Sequence, residues 1–179
     1  MENKILNGAI IAFLLVLFVI SLSAVSADSN GTAVLSLSSN GITINYPSDW
    51  GYSDAVSSDS IMAISKLSSI DSFGIGQINI NVEKRPIEGD FYTFVNSTYT
   101  SMSKDPNYEL VSSGNLMISG KEALEYIYTS NVDGQQREHK AVWFEKGGQA
   151  YVILYSAPID QFENNLYVID YILTDIQIT

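Results

Sequence analysis

The sequence contains no cysteine and a single histidine among its 179 residues. Without cysteine, the chain forms no disulfide bond, no thiolate metal site and no iron–sulfur cluster, and it offers no cysteine nucleophile. The histidine, His139, lies between Glu138 and Lys140, where we expect a solvated side chain at the polar end of a strand. A zinc site or a catalytic triad would have to be built on this one imidazole. We therefore predict no metal site, no cofactor and no catalytic residues.

Positive charge is also scarce. The chain has 9 Lys and Arg against 20 Asp and Glu, which gives a net charge of −11. No Lys or Arg occurs from residue 28 to residue 65, or from residue 147 to the end. Such a field repels a phosphate backbone and an anionic bilayer surface. We therefore expect no nucleic-acid partner, and membrane contact only through the N-terminal segment.

The longest apolar run lies near the N-terminus. Lys4 precedes the run Ala9–Ile20, and small residues follow as far as Ala27. This order is typical of a secretory signal peptide cleaved after Ala27. The uncharged stretch from Gly8 to Ala27 is also long enough to remain as a membrane anchor. Residues 1–27 are thus a signal peptide or an N-terminal anchor, and either one places the domain outside the cytoplasm, secreted or anchored to the outer face of the cell membrane.

Two N-glycosylation sequons fit that location. Asn30 begins Asn-Gly-Thr in a segment expected to be flexible, and Asn96 begins Asn-Ser-Thr. Such short sequences also arise by chance in a chain rich in Asn, Ser and Thr. Both interpretations stay open at this point.

Most of the remaining chain has the periodicity of short strands. Residues 28–39 are expected to be a flexible start and a first strand, and residues 40–179 form one domain. The run Ala33–Ser38 and the run Ile42–Tyr46 flank a Ser-Asn-Gly turn, which predicts a hairpin. Apolar and polar residues alternate from residue 77 to residue 82, which is typical of a strand near a sheet edge. The apolar run Gln149–Ala157 predicts a central strand.

Two segments have helical periodicity instead. From Asp90 to Ser103, apolar residues recur at helical spacing, and Asp90 is placed to cap the first turn. A second helix is predicted with Pro158 near its start and with Asp160 and Glu163 at capping-box spacing. The predicted fold class is α+β, an antiparallel sheet of six or seven strands with two main helices.

With these elements in order, the sequence resembles the PsbP-like family. The resemblance rests on Tyr46, Pro47 and Trp50 after an early strand, and on the end of the chain, where the stretch 147–158, Phe162 and the final "ILTDIQI" follow one another. It covers roughly Asn40 to Thr179. It implies an α/β/α sandwich around an antiparallel sheet and supplies no shared catalytic residues. The photosystem role of the family's namesake does not follow from a shared fold.

Aromatic residues are the remaining candidates for a binding site. Trp50 is expected to fold back and plug the end of the sheet, and the alternative is a tryptophan that stacks on a ligand. Tyr126, Tyr128 and Trp143 fall in neighbouring predicted strands. They form a packed face or, alternatively, line an open groove for a sugar or an apolar ligand.

Taken together, these patterns predict an exported, non-enzymatic binding or accessory domain at the cell surface, with a protein or a small ligand as partner. One alternative is a structural or adhesive envelope protein held by the N-terminal anchor. The other is a hydrolase that uses two carboxylates, although nothing singles out a pair among the 20 acidic residues.

Overall fold

The computed structural model describes residues 26–27, 33–53, 59–132 and 134–179. Most of the predicted signal peptide or anchor, together with Asn30, lies outside these residues. The strands are β1 (Ser26–Ala27), β2 (Ala33–Ser39), β3 (Ile42–Pro47), β4 (Trp50–Ser53), β5 (Ser60–Lys66), β6 (Asn79–Pro86), β7 (Tyr108–Ile118), β8 (Lys121–Val132), β9 (Gln135–Lys146), β10 (Gln149–Pro158) and β11 (Gln177–Ile178). The helices are α1 (Phe91–Met102) and α2 (Phe162–Asp175), and a 3₁₀ turn spans Leu67–Ser69.

Seven strands form one antiparallel sheet in the order β4–β5–β6–β10–β9–β8–β7. Tight turns join β7 to β8 and β9 to β10. Ser119 and Gly120 both have positive φ, as the two-residue turn between twisted strands requires. β10 lies between β6 and β9, so its apolar run is the central strand that the sequence predicts. The predicted fold class, with its antiparallel sheet and two helices, is confirmed.

The position of β6 differs from the prediction, because this strand lies inside the sheet between β5 and β10. Its polar side chains form a hydrogen-bonded row on one face. The Ser60 hydroxyl donates to Asn81 Oδ1, and Asn81 Nδ2 donates to Glu83 Oε1 at 2.9 Å. Arg85 Nη2 donates to Glu83 Oε2 at 2.6 Å. The polar period therefore reflects a satisfied polar row within the sheet, not an exposed edge.

The predicted hairpin of β2 and β3 is present, but it joins a second, smaller sheet in the order β1–β2–β3–β11. Asn40 and Gly41 form its turn with φ of 52° and 72°. The C-terminal strand closes this sheet, since Gln177 pairs with Thr43 and Ile178 pairs with Ile42. The chain therefore brings its end back to the first hairpin.

The first helix follows the sequence closely. Asp90 caps α1, because its Oδ2 accepts a hydrogen bond from the Thr93 amide at 2.8 Å. Phe91, Val95 and Tyr99 are buried on the side that faces the large sheet. Local capping and periodicity are thus sufficient to define this helix.

The second helix begins later than predicted. Pro158 is the last residue of β10 and pairs with Arg137 of β9. α2 begins at Phe162, and its N-cap residue Gln161 forms no side-chain capping bond. The capping box of Asp160 and Glu163 is therefore wrong. Pairing with β9 extends the strand past the point where local signals would end it.

The two faces of the large sheet have different covers. α1 packs on one face, and α2 with the small sheet packs on the other, which gives the three layers of an α/β/α sandwich. The stretch after Pro47 contains the edge strand β4. Trp50 of β4 is 1% exposed and belongs to the core beneath α2, together with Tyr46.

Candidate binding surface

Most of the aromatic residues singled out from the sequence lie beneath α1. The rings of Tyr99 and Tyr126 stack at a centroid distance of 3.7 Å, and Trp143 Nε1 donates to the Tyr99 hydroxyl at 2.9 Å. Trp143 is 4% exposed and Tyr128 is also buried. Burial raises the pKa of the phenols of Tyr99 and Tyr128, so both stay neutral. Trp50 lies apart from this cluster, in the core on the opposite face.

Tyr126 is only half-buried, and its side chain extends from β8 to the exposed side of α1. Its hydroxyl donates to Asn96 Oδ1 at 3.2 Å. Asn96 is exposed on the helix, as its angular distance from Phe91 predicts. The side chain that would carry a glycan is therefore at the surface, with its amide oxygen in contact with the sheet.

The structure places His139 inside a row of side chains across three strands. His139 Nδ1 lies 2.5 Å from Ser156 Oγ of β10, and Nε2 lies 2.8 Å from Ser130 Oγ of β8. The ring stacks on Tyr128 at a centroid distance of 4.7 Å. Burial, with a smaller contribution from Arg137, lowers the pKa of the imidazole to about 3. The prediction of a fully solvated histidine is therefore wrong: His139 is only partly exposed, and side chains on β8 and β10 occupy both ring nitrogens.

The contact of Ser130 with His139 has the distance of a nucleophile and its base. The sequence alone does not reveal it, because the two residues meet only through the register of β8 and β9. The second ring nitrogen faces the hydroxyl of Ser156 and not a carboxylate. An imidazolium formed by taking a proton from Ser130 would thus lack a counter-charge in a buried site. This geometry favours a neutral histidine that joins three strands.

The fold also buries Arg137, which its sequence neighbours do not predict. Its Nη2 donates to the Gln77 carbonyl at 2.6 Å and its Nη1 donates to Gln77 Oε1 at 3.3 Å. Burial lowers the pKa of this guanidinium. Within residues 26–27, 33–53, 59–132 and 134–179, no group of three or more His, Asp or Glu side chains is placed to hold a metal ion.

The exposed candidate is the outer edge of the large sheet. β7 pairs with β8 on one side, and no other strand in the described part of the chain pairs with its outer edge. Glu109 is the only charged residue among its 11 residues. Val111 is 55% exposed and Met117 is 62% exposed. A long, nearly uncharged edge strand with exposed apolar side chains is a template for pairing with a further strand.

Two shallow cavities flank β7, one at each end. The cavity near the end of β7 has a volume of about 220 Å³ and lies beside Tyr92, whose hydroxyl donates to Glu122 at 2.9 Å. The cavity near the start of β7 has a volume of about 230 Å³ and has Ser130 in its wall. Both are smaller than the roughly 300–1,000 Å³ of small-molecule sites. They suit single side chains of a peptide better than a whole ligand.

The three layers define an α/β/α sandwich around an antiparallel sheet. Comparison of the sequence with family models then gives the family. The model described as PsbP-like protein matches residues 20–177. The chain belongs to the PsbP-like family. Comparison with curated protein sequences finds none that matches.

Solved structures share the fold at low sequence identity. PsbP of the cyanobacterium Synechocystis sp. PCC 6803 (CyanoP) aligns with a TM-score of 0.60 and 16% identity, over 86% of this chain and 98% of that one. LpqN of Mycobacterium tuberculosis, involved in cell envelope biogenesis, aligns with a TM-score of 0.60 and 15% identity, over 87% of this chain and 90% of that one. No helix among the described residues is long and apolar enough to cross a membrane.

Proposed function

We propose that this protein is an extracytoplasmic, non-enzymatic accessory domain that binds another polypeptide along the outer edge of β7. The observation that carries this proposal is the open, nearly uncharged edge strand with a side-chain-sized cavity at each end. Strand addition at such an edge supplies main-chain hydrogen bonds, and the pockets beside it accept alternate side chains of the partner.

Two further observations support the other parts of the proposal. The order of charge, apolar run and small residues in 1–27 supports export, as does the envelope role described for LpqN. The serine hydroxyls at both ring nitrogens of His139 support the non-enzymatic part of the proposal, because neither contact supplies the charge that a catalytic imidazole would need.

The location is tested on the protein produced by its own host. Cells are fractionated, and the N-terminal residue of the recovered chain is sequenced. A chain that begins at Asp28 outside the cytoplasm is a secreted domain, and a chain that keeps residues 1–27 in the membrane fraction is an anchored one. An intact chain in the cytoplasmic fraction would contradict export. Mass analysis of the peptide that contains Asn96 shows whether the sequon is modified.

The binding edge is tested by charge substitution. Ser113→Lys places a positive charge on the exposed part of β7, and Asn164→Lys places the same charge on exposed α2 as the control. After chemical cross-linking in the host, we expect the cross-linked product of the natural protein to persist with the control and to disappear with Ser113→Lys. An unchanged product with both variants would show that β7 is not the binding edge.

A further inference from the structure

We propose that the strand added at the edge of β7 is β7 of a second copy of this chain, which makes one continuous sheet across a twofold axis. This inference rests on the proposed function of that edge and names its partner. An antiparallel pair of identical strands is self-complementary, because each copy offers the donors and acceptors that the other one lacks.

Charge limits where a second copy can pair. Each copy has a net charge of −11, so most of its surface repels an identical neighbour. The run from Leu110 to Gly120 contains no charged residue. Two copies that meet along this run bring no charges of like sign directly opposite each other in the ladder.

The β-bulge limits the register. The pairing of β7 with β8 shifts between Leu110 and Ser112, so the regular part of β7 runs from Ser112 to Ile118. The bulge bends the strand and ends continuous pairing at that point. Seven residues paired with themselves in an antiparallel manner place the twofold axis at the middle residue, Asn115.

Side chains fit this register. Gly114 faces the partner's Leu116, and Ser113 faces the partner's Met117. Gly114 has no positive φ, and a Cβ built on it meets nothing within 4 Å, so the fold of one copy does not require glycine there. A glycine inside a strand often marks a close approach of another backbone. The exposed Met117 gains a neighbour across the axis.

Single cysteines test the register, because the natural chain contains none. Directly paired residues of antiparallel strands have Cα atoms about 4.5–5.5 Å apart, within disulfide range. We expect the full-length Asn115→Cys protein, treated with copper–phenanthroline and oxygen in the host envelope, to form a covalent dimer. Asn164→Cys on exposed α2 is the matched control and is expected to stay monomeric.

Two more variants separate this register from loose association. Ser113→Cys alone is expected to give little dimer, since its copies are four positions apart, about 13 Å along the strand. A mixture of Ser113→Cys and Met117→Cys is expected to give the mixed dimer. Equal cross-linking of all variants, or no more from Asn115→Cys than from Asn164→Cys, overturns the second copy as partner. If Ser113→Lys abolishes the cross-linked product and that product contains no second copy of this chain, the partner is a strand of another protein. The proposed function then stands, and only the identity of the partner is wrong.

Discussion

Acidification from pH 7 to pH 5 is expected to destabilise the folded protein through His139. In the folded state the pKa of the imidazole is lowered to about 3 from its ordinary value of 6.5, because the ring is buried and lies near Arg137. Below pH 6.5 the unfolded chain therefore binds more protons at this residue than the folded chain does. The contribution to stability is complete above pH 6.5 and is lost as the pH falls toward 3.

The size of the effect follows from the pKa difference. Each pH unit between the two pKa values costs about 1.4 kcal/mol, so the free energy of unfolding falls by about 2 kcal/mol between pH 6.5 and pH 5. Urea unfolding at pH 7 and at pH 5 measures this difference. His139 is the only histidine in the chain, so no second imidazole titrates in this interval.

His139→Gln isolates the imidazole from the carboxylates. A glutamine amide can donate and accept toward the hydroxyls of Ser130 and Ser156, but it does not titrate. Carboxylates, including Glu138, whose pKa is raised by burial, change both proteins alike. The variant is expected to lose the fall of about 2 kcal/mol that the natural protein shows. An equal fall in both proteins would refute the assignment of the pH dependence to His139.

Three substitutions test the packing around the two helices by urea unfolding. Asp90→Ala removes the side chain that accepts a hydrogen bond from the Thr93 amide and is expected to lower the free energy of unfolding by about 1 kcal/mol. Asp90→Ser keeps a capping oxygen and is expected to keep most of that stability. Trp143→Phe removes a buried donor to Tyr99 and is expected to cost about 2 kcal/mol or more, and a neutral result would mean that this buried bond adds nothing. Tyr155→Phe removes the hydroxyl that donates to the Phe162 carbonyl, which keeps its place in the helical hydrogen-bond ladder, so the expected cost is about 0.5–1.5 kcal/mol, and unchanged stability would indicate that water replaces the hydroxyl.

Elements with local causes are predicted well from the sequence. The bounds of α1 agree to within a residue, because the cap at Asp90 and the stripe of buried residues lie within the same stretch of chain. β10 is recognised as central because burial on both faces removes polar residues from it. In each case the controlling contacts repeat along one element, so the sequence contains the whole signal.

Elements with distant causes are not predicted. β4 is a four-residue strand whose Trp50 and Tyr52 pair with Lys66 and Ile64 on a strand that the chain reaches later. A segment of this length is too short to show the alternation of apolar and polar residues that indicates a strand. The later start of α2 has the same origin, since pairing with β9 keeps Pro158 in the strand.

The candidate site shows this division most clearly. The place of β7 at the edge of the large sheet depends on strand order, which no local pattern encodes. The charged chain neighbours of His139 predict a solvated side chain. Its actual surroundings are the cross-strand residues Tyr128 and Ser156, which the register brings to it.

The residues that carry the family resemblance and the residues proposed to bind a partner lie in different parts of the molecule. Tyr46 and Trp50 are buried in the core under α2, and the end of the chain forms β10 and α2 around that same core. β7 is the strand farthest from β4 in the large sheet, and most of its side chains face solvent. Substitutions in the shared core therefore act on stability, whereas substitutions on β7 act on the proposed contact at little cost to the fold. Structures that share 15–16% identity with this chain can thus keep its fold whether or not they keep the edge proposed here for binding.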